Sequence, residues 1–526
     1  MRSSRAIECH NAVEVLDFVF DKLRETVSQN TIANQTYLMT EEVISSVMDT
    51  VNPSVIWANY SRSFGESTFK FRFKGVVSES DISSEDEIAG SIINHYSDNI
   101  KFQYKNGYTV ITILVRQSST DYTKKLIASI IMSIMASIVL EIILTEKQLV
   151  VFSDSFLWPT AQLFIGTLLL VSTPVTFICL VSNIANYSGL VSKFPSIRKV
   201  ALRYFGTSLM SAVIGLVIFY LAKPFLSLRA DTSYVLPSGS HGLTLSSLST
   251  AISGIVPTNL FQPFIEQSSL KLLFLAILIG VAVAAVEREQ GGIQSAVDTI
   301  KALFCKMLTI IFHFTPIMLF VVVMTLIMYE GISIMSIEML ILLFTLLGML
   351  ILCGIYAIML LAHGHSPFEF YQATRNCFKN VFKLGSSIDA VPYTIKTCNK
   401  KLNLPLRPLE VAIPLGASIN MDAVCMTETF MLLALEYCCG YEITIPRILL
   451  ILVLVLGVSI GAPNRPGTLT IVSFVVLPQL GVSTEVIATI LFIEVVINRL
   501  LATINVAGDV VTAKIVGEQE RRAIHN

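Results

Sequence analysis

The stretch "INRLLATINVAGDVV" (497–511) lies in one of the most apolar parts of the chain, and it decides how the rest of the sequence is interpreted. It contains four polar or charged residues: Asn498, Arg499, Asn505 and Asp509. A lone ionisable side chain at the centre of a bilayer costs about 2.5–3.5 kcal/mol even on lenient insertion scales. We therefore expect these side chains to have a function at membrane depth.

The composition agrees with a membrane setting. The chain has 526 residues, of which 53% are hydrophobic and only 14% charged, and its mean hydropathy is +0.69. A soluble domain rarely has this balance, because charged residues must cover its surface. Runs of about 20 apolar residues, the length that crosses a bilayer, recur from "LIASIIMSIMASIVLEIILT" (126–145) onward. The composition predicts an α-helical polytopic (multi-pass) membrane protein embedded in the lipid bilayer.

Several functions are disfavoured by the same sequence. The formal net charge of −1 argues against a nucleic-acid partner. The nine cysteines include no CxxC pair, so neither a disulfide framework nor a zinc site is indicated. No nucleophile–base constellation and no glycine-rich phosphate loop is visible, so we expect neither an enzyme nor an organic cofactor.

Transmembrane helices are expected before residue 380 in these segments: 126–145, 156–187, 198–222, 244–286 (interrupted), 294–328 and 335–362. Basic residues cluster at 193–203 and 379–401, and basic connections favour the cytoplasmic side of a membrane. This predicts a cell-membrane protein with its N- and C-termini in the cytoplasm.

Residues 1–122 are predicted to form a small cytoplasmic α+β domain. Two helix-like stretches, "NAVEVLDFVFDKLRETV" and "MTEEVISSVMDTV", precede the strand-like runs "TFKFRFKGVV" and "YTVITILV". The order faintly resembles the ATP-binding fold of histidine-kinase-type ATPases, but Asp49 stands where that fold has Asn, and no glycine-rich lid follows. We favour a degenerate regulatory or interaction module over nucleotide binding. The membrane domain is then expected over 123–517, followed by a tail at 518–526.

The C-terminal third contains two similar units. Each has a small-residue tip followed by a helix that we expect to be interrupted: "LGSSIDAVP" (384–392) with "PLGASINMDAV" (414–424), and "SIGAPNRPGTLT" (459–470) with "TINVAGD" (503–509). Two re-entrant hairpins, each paired with a broken helix, are typical of an inverted-repeat transporter. Irregular backbone at membrane depth persists only where protein or a water-filled cavity satisfies it. Freed carbonyls and Asn or Asp oxygens are ligands for hard cations.

These motifs resemble those of a known family. "PLGASINMD" is similar to "PLGATINMD" of the dicarboxylate/amino acid:cation symporters, the glutamate transporter family, and "TINVAGD" resembles their "NVxGD" signature. "SSIDAVP" and "PTNLFQPF" resemble the first hairpin tip and the fourth helix, so the resemblance covers about residues 126–517. It implies eight transmembrane helices with two re-entrant hairpins. It also implies a homotrimer in which a mobile transport domain moves against a static scaffold like an elevator.

The resemblance implies co-transported sodium ions and identifies three sets of matching residues. The first set is Gly416, Asn420, Asn505 and Asp509. The second is Tyr204, Thr207, Ser208, Asn420 and Asp422. The third is mostly backbone and includes Ser418 and Met421. Small polar residues also join membrane helices by hydrogen bonds, which is the simpler interpretation for Ser or Thr alone. For Asp422 and Asp509 we favour ion binding.

The substrate positions depart from the family. Acidic-substrate members have Arg, Thr, Asp and Thr where this chain has Leu501, Ala502, Asn498 and Val424, whereas the tip serines and the last-helix asparagine are retained: Ser386, Ser387 and Asn505. Two new charges, Asp389 and Arg465, lie in the hairpin tips. Arg465 either binds a carboxylate bidentately or is a solvated loop cation, and the sequence leaves both open. Arg499 is interpreted as snorkelling outward. We expect poor glutamate and aspartate transport and a preference for a neutral or less polar solute.

Glu428 lies on the helix that follows "NMD". Relatives with Glu at this position couple transport to protons; the alternative is a hydrogen-bonded structural acid. The sequence thus predicts secondary active, sodium-coupled and potentially proton-coupled symport of a small organic solute such as an amino acid or carboxylate. The alternative is a transporter-like solute sensor or receptor that signals through its N-terminal domain.

Overall fold

The computed structural model describes residues 2–3, 7–26, 30–63, 66–75, 100–105, 107–115, 119–193, 196–227, 254–330, 334–463, 467–480 and 487–525. The chain divides into two compact units, one built mainly from residues 1–122 and one from most of the remainder. We call them the N-terminal unit and the membrane unit.

The N-terminal unit combines two helices with an antiparallel sheet. The helices are α1 (Ala12–Thr26) and α2 (Asn30–Thr50), and the strands are β1 (Arg2–Ser3), β2 (Ile7–Cys9), β3 (Ile56–Ser63), β4 (Glu66–Lys74), β5 (Ile100–Lys105) and β6 (Tyr108–Val115). The strand order is β1-β3-β4-β6-β5, with β2 also paired to β3. The strand-like runs predicted from the sequence form most of β4 and all of β6.

Alternation along β4 explains the core of this unit. Phe69, Phe71 and Phe73 are fully buried on one face of the sheet, because successive side chains of a strand point to opposite faces. Helix α1 covers that face, and the rings of Phe18 and Phe69 meet edge to face at 6.2 Å. The residues between the phenylalanines are basic and exposed.

The membrane unit is helical in its described part. Its helices are α3 (Ser119–Ile143), α4 (Glu146–Phe152), α5 (Trp158–Lys193), α6 (Ser196–Ser227), α7 (Gln262–Ile265), α8 (Ser269–Gln290), α9 (Ile293–His313), α10 (Thr315–Glu330), α11 (Ile334–Ala362), α12 (Pro367–Leu384), α13 (Val391–Leu402), α14 (Leu406–Ile419), α15 (Asp422–Cys438), α16 (Ile445–Ile460), α17 (Thr468–Leu480) and α18 (Ile487–His525). A π-helical turn at Ser153–Leu157 joins α4 to α5.

The described residues contain seven spans long and apolar enough to cross a membrane, or eight if the pair α9–α10, bent by 58°, is one span. The chain is therefore a multi-pass membrane protein, and the upper count equals the predicted eight. The predicted span at 244–286 differs in detail. Residues 244–253 lie outside the described residues, and the continuous helix begins only at Ser269, after the short α7. Pro257 and Pro263 lie in that preceding segment, where proline interrupts helical hydrogen bonding.

The two predicted interruptions have different outcomes. The chain breaks between α14 and α15, where Asn420 is extended with φ −94° and ψ 92°. The expected interruption at 503–509 is wrong, because α18 is continuous from Ile487 to His525. That segment contains no proline, so nothing removes an intrahelical hydrogen bond, and Gly508 is accommodated within the helix. The polar residues of α18 must therefore act through their side chains.

The hairpin positions are occupied by pairs of short helices. Helices α12 and α13 flank the first tip, and α16 and α17 flank the second. Gly385 ends α12 with φ +65°, a backbone conformation that favours glycine at a helix C-terminus. Two statements remain predictions: that these helix pairs are re-entrant, and that the two segments made of a helix pair and the helix after it form an inverted repeat.

Candidate functional site

Three elements bring the conspicuous polar residues together. The break between α14 and α15 supplies Asn420 and Asp422, α6 supplies residues 204–208, and α18 supplies Asn505 and Asp509. Helix α15 packs along α6, and α18 contacts α14 and α15. Side chains four residues apart share one face of a helix, so Asn505 and Asp509 face the break together.

Asp422 is fully buried and hydrogen-bonded on both carboxylate oxygens. The Ser208 hydroxyl donates to its Oδ1 at 3.0 Å, and the Tyr356 hydroxyl donates to its Oδ2 at 2.7 Å. Tyr356 belongs to α11 and was not predicted as a site residue. It makes the shortest contact to Asp422 among these, so the carboxylate is held between α6 and α11.

Asp509 is equally buried but only half satisfied. Its Oδ1 accepts a hydrogen bond from Asn420 Nδ2 at 2.9 Å. Its Oδ2 is buried and has no hydrogen-bond partner within the part of the chain that the structure describes. A buried carboxylate oxygen without a donor is costly, so it is where a cation would contribute most.

Thr207 and Tyr204 complete the contacts from α6. The Thr207 hydroxyl donates to Asn420 Oδ1 at 3.1 Å. The Tyr204 hydroxyl donates to the Ala412 carbonyl at 3.0 Å, which joins α6 to α14. Of the predicted second sodium set, Thr207, Ser208, Asn420 and Asp422 are thus in direct contact, and Tyr204 lies beside them.

Two glycines allow the close approach of these groups. A Cβ on Gly416 would lie 2.7 Å from Tyr204 Oη and would also overlap Asp509 Oδ1. A Cβ on Gly508 would lie 2.7 Å from Tyr356 Oη and 2.8 Å from Asp422 Oδ2. These three distances are all shorter than real Cβ contacts, so the carboxylates can occupy these positions only against glycine.

Asn505, Met421 and Ser418 make hydrogen bonds to the elements around the break. Asn505 Oδ1 accepts the Ala423 N–H at 2.8 Å, and its Nδ2 approaches Met421 Sδ at 3.6 Å. Asn505 therefore satisfies the start of α15. The Ser418 hydroxyl donates to the Pro414 carbonyl at 2.9 Å, within its own helix.

The predicted solute residues that the structure describes are buried or partly buried. Ser386 and Ser387 are buried in the first tip, and Asn498 Nδ2 reaches the Gly385 carbonyl at 3.4 Å. The apolar replacements are also buried: Val424, Leu501 and Ala502. Arg465 lies outside the described residues. Asp389, the charged residue of the first tip, donates its backbone N–H to Ser386 Oγ at 3.3 Å.

Arg499 was predicted to snorkel outward, and the structure shows one contact that it makes within the protein. It is partly buried, and its guanidinium lies 5.9 Å from the centre of the Phe382 ring. This distance is close to the limit of about 6 Å within which a cation–π contact is attractive. Arg499 is thus associated with α12.

Two further buried acids contact the second helix pair. The Ser473 hydroxyl donates to the Glu428 carboxylate, at 3.0 Å from Oε1 and 2.9 Å from Oε2. Glu494 accepts the Leu469 N–H at 3.2 Å, the Thr470 N–H at 3.0 Å and the Thr470 hydroxyl at 2.5 Å. Glu494 was not predicted, although it lies one turn before Asn498 on the same face of α18. An acid placed at a helix N-terminus is favourable there.

The charge balance of the centre is one-sided. Helices α15 and α18, which line it, carry buried carboxylates at Asp422, Glu428, Glu494 and Asp509. No ion pair with Lys or Arg joins any of them within the described residues, whereas Glu436 nearby is paired with buried Arg447 at 2.7 Å. No group of three His, Cys, Asp or Glu side chains suited to a metal ion occurs in the described ranges either. The centre is built from hydroxyl, amide and carboxylate oxygens, which suit hard cations.

Comparison with known proteins identifies the family. A sequence model described as "Sodium:dicarboxylate symporter family" matches residues 123–519. The C4-dicarboxylate transport protein of Bordetella avium is 25% identical over 381 residues, covering 70% of this chain and 84% of that protein. The protein of the same name from Bacillus subtilis is 24% identical over 383 residues, covering 69% and 87%.

These matches confirm the resemblance read from the motifs and the prediction of a transporter rather than an enzyme. The matched segment begins in the first turns of α3 and includes every residue of the buried oxygen-rich centre. Residues 1–122 lie outside it. Because the match extends over well more than half of the sequence, the chain belongs to the sodium:dicarboxylate symporter family, whose members are secondary transporters.

Proposed function

We propose that the protein is a sodium-coupled symporter of a small organic carboxylate. The observation that supports sodium most directly is Asp509 Oδ2, a buried carboxylate oxygen without a hydrogen-bond partner in the described residues. It lies in a cluster of Asn, Ser, Thr and Asp oxygens beside the break of α14 and α15. A monovalent cation at this oxygen would offset the desolvation of the carboxylate. Sodium is here co-transported cargo.

C4-dicarboxylates are the solute class we put first. The relatives in the comparison are named C4-dicarboxylate transport proteins. A dicarboxylate has no ammonium group, so it does not need the anionic partner that is replaced here by Asn498. An acidic amino acid does need it, and leaving a buried polar group without its partner can disfavour a ligand by orders of magnitude.

The solute carboxylates still need donors. Ser386, Ser387 and Asn498 supply hydroxyl and amide groups beside the first tip. Leu501 cannot supply the cation that acidic-substrate relatives have at that position, so Arg465 is the candidate for this role. The earlier expectation of a neutral or less polar solute is the competing outcome.

The transport cycle is proposed from the family. We infer a homotrimer with an elevator-type movement in which α12–α13 and α16–α17 act as the two hairpins. A positive charge that moves across 100 mV supplies about 2.3 kcal/mol, so a few co-transported ions can drive accumulation. Glu428, which is buried against Ser473 of the second pair, is the candidate proton carrier if protons are coupled as well.

The decisive experiment is uptake into liposomes containing the purified protein. An inward sodium gradient should drive accumulation of labelled succinate, fumarate or malate, and replacing sodium by choline should abolish it. Labelled aspartate, glutamate and a set of neutral amino acids test the competing solute classes in the same vesicles. Arg465→Ala should abolish dicarboxylate uptake if this side chain binds the solute.

Acid-to-amide variants separate the loss of sodium binding from the effect of removing one negative charge elsewhere in the protein. Asp509→Asn and Asp422→Asn should both lose sodium-driven uptake and sodium-dependent thermal stabilisation, because ligands stabilise the state that binds them. Glu289→Gln, an exposed acid on α8, is the matched control and should behave like the parent protein. Uptake that proceeds equally without sodium would contradict the proposal. Solute binding without any uptake would instead favour a sensor that signals through residues 1–122.

A further inference from the structure

The outer face of the sheet in the N-terminal unit is basic and aromatic. Lys70, Arg72 and Lys74 alternate along β4 with the buried phenylalanines and are exposed. Trp57 pairs with Arg72 across β3 and β4, and Tyr108 pairs with Lys74 across β4 and β6. We call these five residues the basic face.

The side chains of the basic face contact one another. The Arg72 guanidinium lies 4.2 Å from the centre of the Tyr108 ring. The Trp57 and Tyr108 rings meet edge to face at 5.9 Å. Glu8 is the acidic residue at this edge, and it accepts the Trp57 indole N–H at 3.0 Å. The aromatic rings are thus held beside the Arg72 cation, and the Glu8 carboxylate binds Trp57.

The opposite layer of the unit has the opposite charge. Helices α1 and α2 contain seven acidic residues and two basic ones: Glu14, Asp17, Asp21, Glu25, Glu41, Glu42 and Asp49 against Lys22 and Arg24. Helix α1 covers the phenylalanine side of the sheet, and α2 packs against α1 and β6. The unit therefore has a positive face and a negative face, and an anionic surface would attract the first and repel the second.

We propose that the basic face docks on anionic lipid headgroups of the bilayer that holds the membrane unit. Each Lys or Arg near an anionic bilayer surface strengthens the binding of a protein to that surface about fivefold. Indole and phenol rings favour the interface between water and lipid. In the sequence only three residues separate the end of β6 at Val115 from the start of α3 at Ser119. The bilayer is therefore present at high local concentration, and weak docking is sufficient.

We favour lipid over a nucleic acid as the ligand of the basic face because the other layer of the unit is acidic. A nucleic acid would have to approach a unit whose helical layer is acidic, and the chain as a whole has a net charge of −1. A bilayer surface is planar and meets only one side of the unit. The positive layer can then face it while the acidic helices remain in water.

Tryptophan fluorescence tests this in the full-length protein. The chain has two tryptophans, Trp57 and Trp158, so Trp158→Phe makes Trp57 the single reporter. The variant is placed in nanodiscs of neutral lipid or of neutral lipid mixed with phosphatidylglycerol, with brominated acyl chains as quenchers. We expect Trp57 to be quenched in the anionic discs and released by high salt, since surface charge interactions are screened.

Charge variants identify the face. Lys70→Gln with Arg72→Gln should lower the docked-to-undocked ratio roughly 25-fold, fivefold for each residue. Lys22→Gln with Arg24→Gln makes the same change of charge on α1 and should leave quenching intact. The α1 control also separates loss of docking from a general effect of net charge, and circular dichroism of each variant checks its folding. Absence of Trp57 quenching in anionic discs would overturn the proposal. An equal loss of quenching in both variant pairs would also overturn it, as would a change of Trp57 fluorescence on adding an RNA oligomer but not in anionic discs.

Discussion

Gly508 offers the sharpest test of the buried centre, because its backbone lies directly against the Asp422 carboxylate. A Cβ at this position would lie 2.7 Å from Tyr356 Oη, 2.8 Å from Asp422 Oδ2 and 3.2 Å from Asn420 Nδ2. None of the three groups can move away freely, since each is held by a hydrogen bond within the cluster. Gly508→Ala therefore adds one methyl group where three polar atoms already meet.

The magnitude follows from opposing terms. Alanine is favoured over glycine in a helix by about 0.8–1 kcal/mol. Against this, overpacking a well-packed interior costs about 1–3 kcal/mol, and disturbing a hydrogen bond to a charged group costs about 1.5–3 kcal/mol. We expect the free energy of unfolding to fall by about 1.5–5 kcal/mol, the balance of these terms. Gly354→Ala is the matched control, because that helical glycine has no atom within 4 Å of its added Cβ.

The assay is thermal unfolding of both variants in sodium and in choline. The parent protein should be stabilised by sodium, and a tenfold loss of affinity removes about 1.4 kcal/mol of that stabilisation once sodium is in excess. Gly508→Ala should lose most of the sodium-dependent shift in Tm, whereas Gly354→Ala should keep it. If Gly508→Ala keeps the full shift and the parent rate of uptake, Asp422 and Tyr356 are not part of a cation site.

Three further predictions concern the surroundings of the site. Glu494→Ala should lower sodium-driven uptake severely while leaving the protein folded, since it removes the acceptor for the first N–H groups of α17; Glu494→Asp should restore part of the uptake measured in liposomes. Glu436→Gln should destabilise the protein by about 3–5 kcal/mol, because Arg447 would remain buried without its partner, and replacing both residues by leucine and methionine should recover most of the Tm. Deleting residues 1–120 should leave sodium-driven uptake intact in vesicles, and complete loss in a folded, membrane-inserted protein would instead favour the sensor function.

The sequence located the centre because its signals are local. Pro414, Gly416 and Asn420 occur within a few residues of one another in an apolar segment, and this combination weakens a helix. The same reasoning failed for 503–509, where glycine is present without proline. There Gly508 provides space for Asp422 and Tyr356 rather than a break, and that requirement is visible only when α11, α15 and α18 are packed together.

The residues that sequence analysis missed depend on distant partners. Tyr356 contacts a residue 66 positions away, and Arg447 contacts the carbonyl of Leu480, 33 positions away. A single tyrosine or arginine in an apolar segment resembles a packing or snorkelling residue. Glu494 gave a stronger signal, since an acid in "LFIEVV" should have been treated like Asp509. Its partners on α17 could not have been inferred from spacing.

The distribution of buried charge suggests why cations and solute should move together. Asp422, Glu428, Glu494 and Asp509 are buried without a Lys or Arg ion pair among the described residues. An anionic solute that entered this centre alone would add negative charge to a region of low dielectric constant, where repulsion between like charges is strong. Cations bound at Asp509 and Asp422 would offset part of that negative charge before or during solute entry. We infer that coupling arises from this electrostatic requirement, with Asp509 as the first carboxylate to need a cation because neutral donors already satisfy both oxygens of Asp422.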